Sequence, residues 1–195
     1  LWRTTLENKE YFDFRHKKYD TAMKKKLIEA TQADRIPDLI VPRYGILTAQ
    51  SQNKIFPTDD EAWDQPGGGT TNFSISSLDV GSTVAVLHES RGGDWYFVKS
   101  SFLLGWVPAT NVAFGSAAEI GDYVNAKDFI VVTSGKVPVY SDANPGCFLN
   151  DFYMGAKLKL VRKAVDGYHV LAPFRRPDGS FEAVRARVKP DAGVS

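Results

Sequence analysis

A single cysteine, Cys147, stands among the 195 residues. That excludes an internal disulfide framework and leaves the redox compartment open. Surplus charge is also lacking, since 24 Lys and Arg against 23 Asp and Glu leave a net charge of +1. The sequence therefore gives no bulk electrostatic case for a nucleic-acid partner or an anionic membrane. No apolar run approaches the roughly 18 residues that a membrane-spanning helix needs. No secretory leader is visible, but the chain opens on Leu1 rather than methionine and reads as a mature product or a piece of a longer one.

Groups that carry chemistry are sparse as well. The three histidines, His16, His88 and His169, lie far apart, and none has a Cys, His or carboxylate at metal-ligand spacing. No metal and no cofactor is expected. His88 and His169 fall in strand patterns and read as satisfied strand-face residues. Cys147 follows Pro145-Gly146 in a loop. As a nucleophile it would need a base and an activating cationic setting, and His169 is the one candidate base downstream. Gly67-Gly68-Gly69 lacks the following Lys-Ser/Thr of a phosphate-binding loop and reads as a flexible loop. No carboxylate sits in a context that raises its pKa, so no acid/base pair for glycoside hydrolysis can be argued. Taken alone, the chain carries no catalytic constellation.

What is present is a β pattern. The organising stretch runs from Val84 to Pro108. Val84, Val86 and His88 alternate with Ala85, Leu87 and Glu89, Arg91-Gly92-Gly93-Asp94 supplies a tight turn, and Trp95 to Val98 is aromatic and β-branched. A third short strand ends on Trp106-Val107-Pro108. Ahead of it, Trp2, Tyr11, Phe12, Phe14 and Tyr19 are mixed with charges without a period. Asp20-Thr21 can cap a helix running to about Ala33, with Met23, Leu27 and Ala30 on one face and Lys24, Lys25 and Lys26 on a solvated one. Pro37 and Pro42 end that register. Strands are expected at Tyr44 to Ala49, Lys54 to Phe56 and Phe73 to Leu78. Between the last two lies a long excursion, Asp59 to Asn72, which reads as a functional or mobile loop.

A second β run follows: Phe129 to Thr133, Lys136 to Tyr140, Lys157 to Arg162, Tyr168 to Ala172 and Phe181 to Arg187, with turn signals between them. Gly81 to Val86 aligns with Gly155 to Leu160, and each is followed by a polar turn and an aromatic strand, from Trp95 or from Tyr168. The fold class is mainly β, two small barrels in tandem after a short helical segment. The expected division is 1–42 helical and extended, 43–114 first barrel, 115–127 Gly/Ala/Ser linker and 128–190 second barrel.

Within that frame the acidic run Asp59-Asp60-Glu61 beside Trp63 is the best candidate for chemistry. Its bland reading is a solvated loop; its functional reading is a seat for an ammonium beside an aromatic face.

Arg43 to Leu47, Phe56-Pro57-Thr58, Ser74 to Leu78, Leu87-His88-Glu89-Ser90, Gly93 to Val98 and Gly105-Trp106-Val107 together resemble a bacterial SH3 domain. The subtype is the one placed ahead of the catalytic domain in NlpC-type, papain-like peptidoglycan endopeptidases, the γ-D-glutamyl-L-diamino acid endopeptidase family. The chain departs from that pattern in having Gly93-Asp94 where Asp-Gly is usual, with Arg91 intervening. Lys136 to Tyr140, Met154-Gly155-Ala156, Ala172-Pro173 and Asp178-Gly179 are similar to the second SH3 module of those proteins.

The resemblance implies two SH3-like barrels with a cell-envelope location, periplasmic or secreted. It also implies a catalytic domain expected just after Ser195, in the same protein or a separate chain, because nothing in this chain matches its nucleophile. The partner it implies is the peptidoglycan stem peptide, framed rather than cut by these modules. The substrate-facing candidates are then Asp59, Asp60 and Glu61 for the free amine, with Trp63, Trp95, Tyr96 and Trp106 as the aromatic wall. Of the tryptophans, Trp106 reads as core and Trp95, beside the turn, as surface. Two other readings stay open: an SH3 adaptor for proline-rich peptides, and an independent thiol hydrolase using Cys147.

Overall fold

The computed structural model describes residues 6, 7 and 9–195; Trp2 lies outside them. Helix α1 spans Thr21–Ala30. The strands that follow are β1 (Arg43–Leu47), β2 (Ser51–Lys54), β3 (Trp63–Gln65), β4 (Gly68–Thr71), β5 (Ser74–Leu78), β6 (Thr83–Glu89), β7 (Trp95–Lys99), β8 (Leu104–Pro108) and β9 (Val112–Phe114). After helix α2 (Ala117–Val124) come β10 (Phe129–Val131), β11 (Lys136–Ser141), β12 (Phe148–Tyr153), β13 (Lys157–Ala164), β14 (Gly167–Arg175) and β15 (Phe181–Val188). The class is mainly β with a helix ahead of the sheets, as the sequence implies.

The chain groups into two compact units, each discontinuous in sequence. The first takes the described residues up to Pro42 with Gln52–Ser77 and Ala85–Thr110; the second takes Arg43–Ser51, Leu78–Val84 and Asn111–Ser195.

In the first unit β6, β7 and β8 form an antiparallel meander, with Ala85 opposite Lys99 and Phe97 opposite Trp106, and β2 joins at Lys54 opposite Trp106. The β6–β7 turn closes through Gly93 N–H to the Ser90 carbonyl, with Gly93 at φ +77°, a conformation that a Cβ disfavours. Helix α1 starts where Asp20 accepts from the Met23 amide at 2.9 Å. It ends three residues short of the expected Ala33, because Gln32 takes a left-handed φ of +47° and a short 3-10 turn follows. His88 donates from Nε2 to the carbonyls of Thr31 (2.9 Å) and Gln32 (3.1 Å), and the Arg91 amide donates to Ala30 O. Carbonyls only accept, so that imidazole carries its proton on Nε2. The last turn of α1 is thereby capped from the meander, and His88 is the satisfied strand residue that the sequence suggested.

The long excursion 59–72 contains regular structure. β3 and β4 pair as a hairpin, and Gly67, Gly68 and Gly69 take φ of +87°, +141° and +102°. The glycine run is there because three successive left-handed residues strain any side chain-bearing residue. Ala62 and Phe73, at the base of the hairpin, are both fully buried in a cluster with Leu6, Tyr11, Tyr19, Leu27 and Phe56. Phe73 centres it, with ring centroids of Phe56, Tyr11 and Tyr19 at 5.1, 5.3 and 5.7 Å. Of the aperiodic aromatics near the N-terminus, Tyr11 and Tyr19 thus belong to a core, while Phe14 is 69% exposed.

In the second unit, the strands run in the order β10-β13-β14-β15-β11-β12. Val137, Val139, Phe152, Leu158, Val170, Ala172, Ala186 and Val188 build the core on one face. Strands β10, β11, β13, β14 and β15 lie where alternation put them. β12 escapes such reading because its middle, Asn150-Asp151, is polar and it occupies a sheet edge. Residues 115–127 hold α2, a capped helix: Ser116 Oγ accepts from the Glu119 amide while Glu119 Oε2 accepts from the Ser116 amide. At its other end Lys157 and Lys159 reach the Val124 and Asp122 carbonyls. Its apolar residues Ile120 and Tyr123 are buried with Ile46 of β1 and Ala113 of β9, two strands that pair antiparallel.

Gly81 and Gly155, aligned in the sequence, share local backbone features. Gly81 and Gly155 both take positive φ (+85° and +91°) just before β6 and β13. The β6–β7 ladder then shifts register between Val86 and His88, and the β13–β14 ladder between Leu160 and Arg162. Counted from each glycine, the bulge falls at the same place.

Candidate binding site

The expected substrate-facing residues do not form one surface. Trp106 is fully buried, its ring 5.2 Å from Phe97 and 6.1 Å from His88 by centroids. Trp95 and Tyr96 are each only 9% exposed. Trp95 is held by its turn, exchanging bonds with Ser90: N–H to Ser90 Oγ at 3.1 Å and carbonyl from the Ser90 amide at 2.9 Å. The reading of Trp106 as core agrees with its burial, and that of Trp95 as surface is corrected. Both large rings are drawn inward because their apolar area is the principal burial available to a small barrel.

The acidic run also splits. Glu61 accepts from Lys54 Nζ and Ser74 Oγ. The Lys54 side chain is 6% exposed and that of Glu61 27%, so this is a largely sequestered ion pair. Glu61 Oε2 is itself buried without a hydrogen-bond partner in this structure. Asp59 and Asp60 are exposed, with the Asp60 amide donating to Thr58 Oγ1 at 3.1 Å. Beneath them, the Tyr19 hydroxyl donates to the Glu61 carbonyl at 3.5 Å. Burial first, and the Asp60 carboxylate second, push the Tyr19 phenol up to about 12.

Trp63 is half-buried on β3. Its backbone pairs with Phe12, N–H to carbonyl in both directions at 2.9 Å. That pairing brings the 11–19 segment alongside the hairpin and creates a cleft of about 260 Å³ lined by Asp13, Phe14, His16, Trp63, Gly67 and Gly68. Phe14 is 69% exposed. Asp13 Oδ1 accepts from the amides of Arg15 (2.8 Å) and Lys17 (2.9 Å), which shapes the turn, and His16 sits at φ +62°. Sequence reading missed Asp13, Phe14 and His16 as neighbours of Trp63, because no local pattern marks a strand pairing across fifty residues of chain.

In the second unit His169, 7% exposed, turns Nδ1 to Asp142 at 2.8 Å, while Nε2 faces Arg162 at 3.0 Å and Asp166 at 3.3 Å. Cys147 lies in an exposed turn, its amide donating to Asn144 O. Both ring nitrogens of His169 are thus engaged elsewhere, and a Cys147–His169 dyad has no geometric support. Among the described residues, no group of three or more His, Cys, Asp or Glu could hold a metal, and no helix is long and apolar enough to cross a membrane.

Residues 65–108, from the end of β3 through β8, match the family model described as SH3 domain (SH3b1 type). This stretch is a bacterial-type SH3 module, in agreement with the resemblance that its motifs carry. A solved structure reported as a novel NlpC/P60 endopeptidase from Photobacterium damselae subsp. piscicida has a similar fold: TM-score 0.79 at 14% identity over 99% of this chain. The chain spans 42% of the length of that structure. The comparison with curated proteins gives no match.

Proposed function

We propose that this chain is the non-catalytic recognition region of a cell-wall stem-peptide endopeptidase. It acts in the cell envelope, binds peptidoglycan and frames the stem peptide for an NlpC-type catalytic domain in the same protein or a partner chain. The observation that carries the reading is the SH3b1-type match over 65–108, on a fold shared with an NlpC/P60 endopeptidase. The doubled β-bulge after Gly81 and Gly155 supports two such modules in tandem.

The division of labour among the acids follows from their surroundings. Asp59 and Asp60 are exposed and can pair with the free ammonium of a stem peptide. Glu61 serves the scaffold instead, anchoring Lys54 and Ser74 behind the loop that presents them. Trp63 supplies the adjacent ring face. Trp95, Tyr96 and Trp106 contribute by packing.

Calorimetric titration of the chain with a stem peptide bearing a free L-alanine amine, and with its N-acetylated form, tests this. The free amine should bind more tightly, and the Asp59→Asn/Asp60→Asn variant should lose the difference. Equal binding of the two peptides, or an unchanged double variant, would overturn the amine site.

A further inference from the structure

The cleft between the 11–19 segment and the β3–β4 hairpin is lined by neither Asp59 nor Asp60. Its lining holds one carboxylate, Asp13, whose Oδ1 already accepts from the amides of Arg15 and Lys17, and the Arg15 guanidinium lies 5.1 Å from the Phe14 ring centroid. An anionic ligand meets Asp13 in the lining, and a cationic one meets the Arg15 guanidinium beside Phe14. What the cleft does offer is two aromatic side chains, Trp63 and the 69% exposed Phe14, beside a carboxylate, an imidazole and a glycine backbone.

That combination suits a neutral polyhydroxylated ring. The C–H groups on one face of a pyranose are weakly positive and lie well on the negative face of an aromatic ring, while its hydroxyl and acetamido groups need a few fixed donors and acceptors. Asp13 accepts, His16 can donate or accept, and the glycine turn leaves peptide groups uncovered. Gly67 and Gly68 line the cleft at φ of +87° and +141°, conformations that a Cβ disfavours, so no side chain stands on that wall.

We infer that the Phe14–Trp63 cleft binds the glycan strand, a β-linked N-acetylhexosamine chain, independently of the stem peptide. The identity of the polymer rests on the function proposed above; the sugar chemistry rests on the cleft. One barrel unit would then grip both components of the same polymer, the amine at Asp59/Asp60 and the sugar on Phe14, with Trp63 shared between them.

The test uses the whole chain and three probes: intact sacculi, glycan strands stripped of peptide, and soluble N-acetylglucosamine oligomers. Tryptophan fluorescence and co-sedimentation are the readouts. Stripped strands and oligomers should bind, and Phe14→Ala should weaken that binding roughly tenfold, the scale of one aromatic contact. Phe14 is exposed enough for its removal to leave the thermal midpoint near that of the parent, and Trp63→Phe should bind better than Trp63→Ala. Binding to sacculi without binding to stripped strands or oligomers would overturn the glycan site and leave the proposed function intact. Binding to oligomers without binding to sacculi would support the cleft chemistry and overturn the proposed function. Glycan binding that is unchanged in both Phe14→Ala and Trp63→Ala would place the sugar elsewhere and contradict the inference.

Discussion

Phe12 and Trp63 exchange a reciprocal pair of backbone hydrogen bonds, each 2.9 Å long. This pairing makes the N-terminal segment part of the first unit and turns what reads as a loop into one side of a cleft. It is supported from below by Phe73, fully buried against Tyr11, Tyr19 and Phe56. Phe73→Ala should destabilise this unit by about 3–5 kcal/mol, the range for emptying a buried phenylalanine site. Urea denaturation followed by tryptophan fluorescence measures it. A loss below about 1 kcal/mol would mean that the segment does not pack there as described.

Lys54 is nearly sequestered and its ammonium meets Glu61. Removing one member leaves the other with an uncompensated charge, so Lys54→Met and Glu61→Gln should each cost on the order of 2–3 kcal/mol, somewhat under the fully buried range because Glu61 keeps partial solvent access. The double variant Lys54→Met/Glu61→Gln should recover part of that loss. Strict additivity in the cycle would show that the two do not interact.

Tyr19 gives a pH signature. Its phenol is favoured in the neutral form, with the folded value pushed up from 10.0 to about 12 by burial and then by Asp60. A raised folded pKa means that the contribution is fully present below the unfolded value and is lost as pH rises through the folded one. Tyr19 should therefore titrate late in an ultraviolet titration, with stability falling above about pH 10. Asp60→Asn should move the titration of Tyr19 downward without abolishing the delay, since burial is the larger cause. Titration of Tyr19 among the ordinary phenols would contradict its placement.

The class of fold is legible from the sequence because strand alternation and turn residues are local. β7 and β8 read cleanly: Trp95 to Lys99 and Leu104 to Pro108 lie where the pattern puts them. Legibility fails where a residue's environment is set at long range. Trp63, Asp13 and Phe14 meet through a pairing remote in sequence, and Glu61 is diverted from the surface by Lys54 on β2, a choice that the run Asp59-Asp60-Glu61 does not reveal. α2 is a milder case: the Ser116–Glu119 capping box is written in the sequence but is hidden in a Gly/Ala-rich stretch that reads as a linker.

That box supplies a further expectation. Ser116→Ala removes the cap of α2 and should cost about 1 kcal/mol. The Glu119 carboxyl, held below its ordinary value by hydrogen bonds from the Ser116 amide and hydroxyl, should return toward that value in the variant. A lowered carboxylate contributes above its unfolded pKa and loses the contribution as pH falls through the folded one, so the effect of the variant should shrink in acid. Carbon-detected NMR titration of Glu119 follows it, and an unshifted Glu119 in the variant would refute the box.

Co-sedimentation of the whole chain with purified sacculi tests the central claim most directly. The account predicts that the protein pellets with sacculi, that soluble stem peptide bearing a free amine competes it off in part, and that the Asp59→Asn/Asp60→Asn variant escapes that competition. Protein that stays in the supernatant at every sacculus concentration would contradict the account.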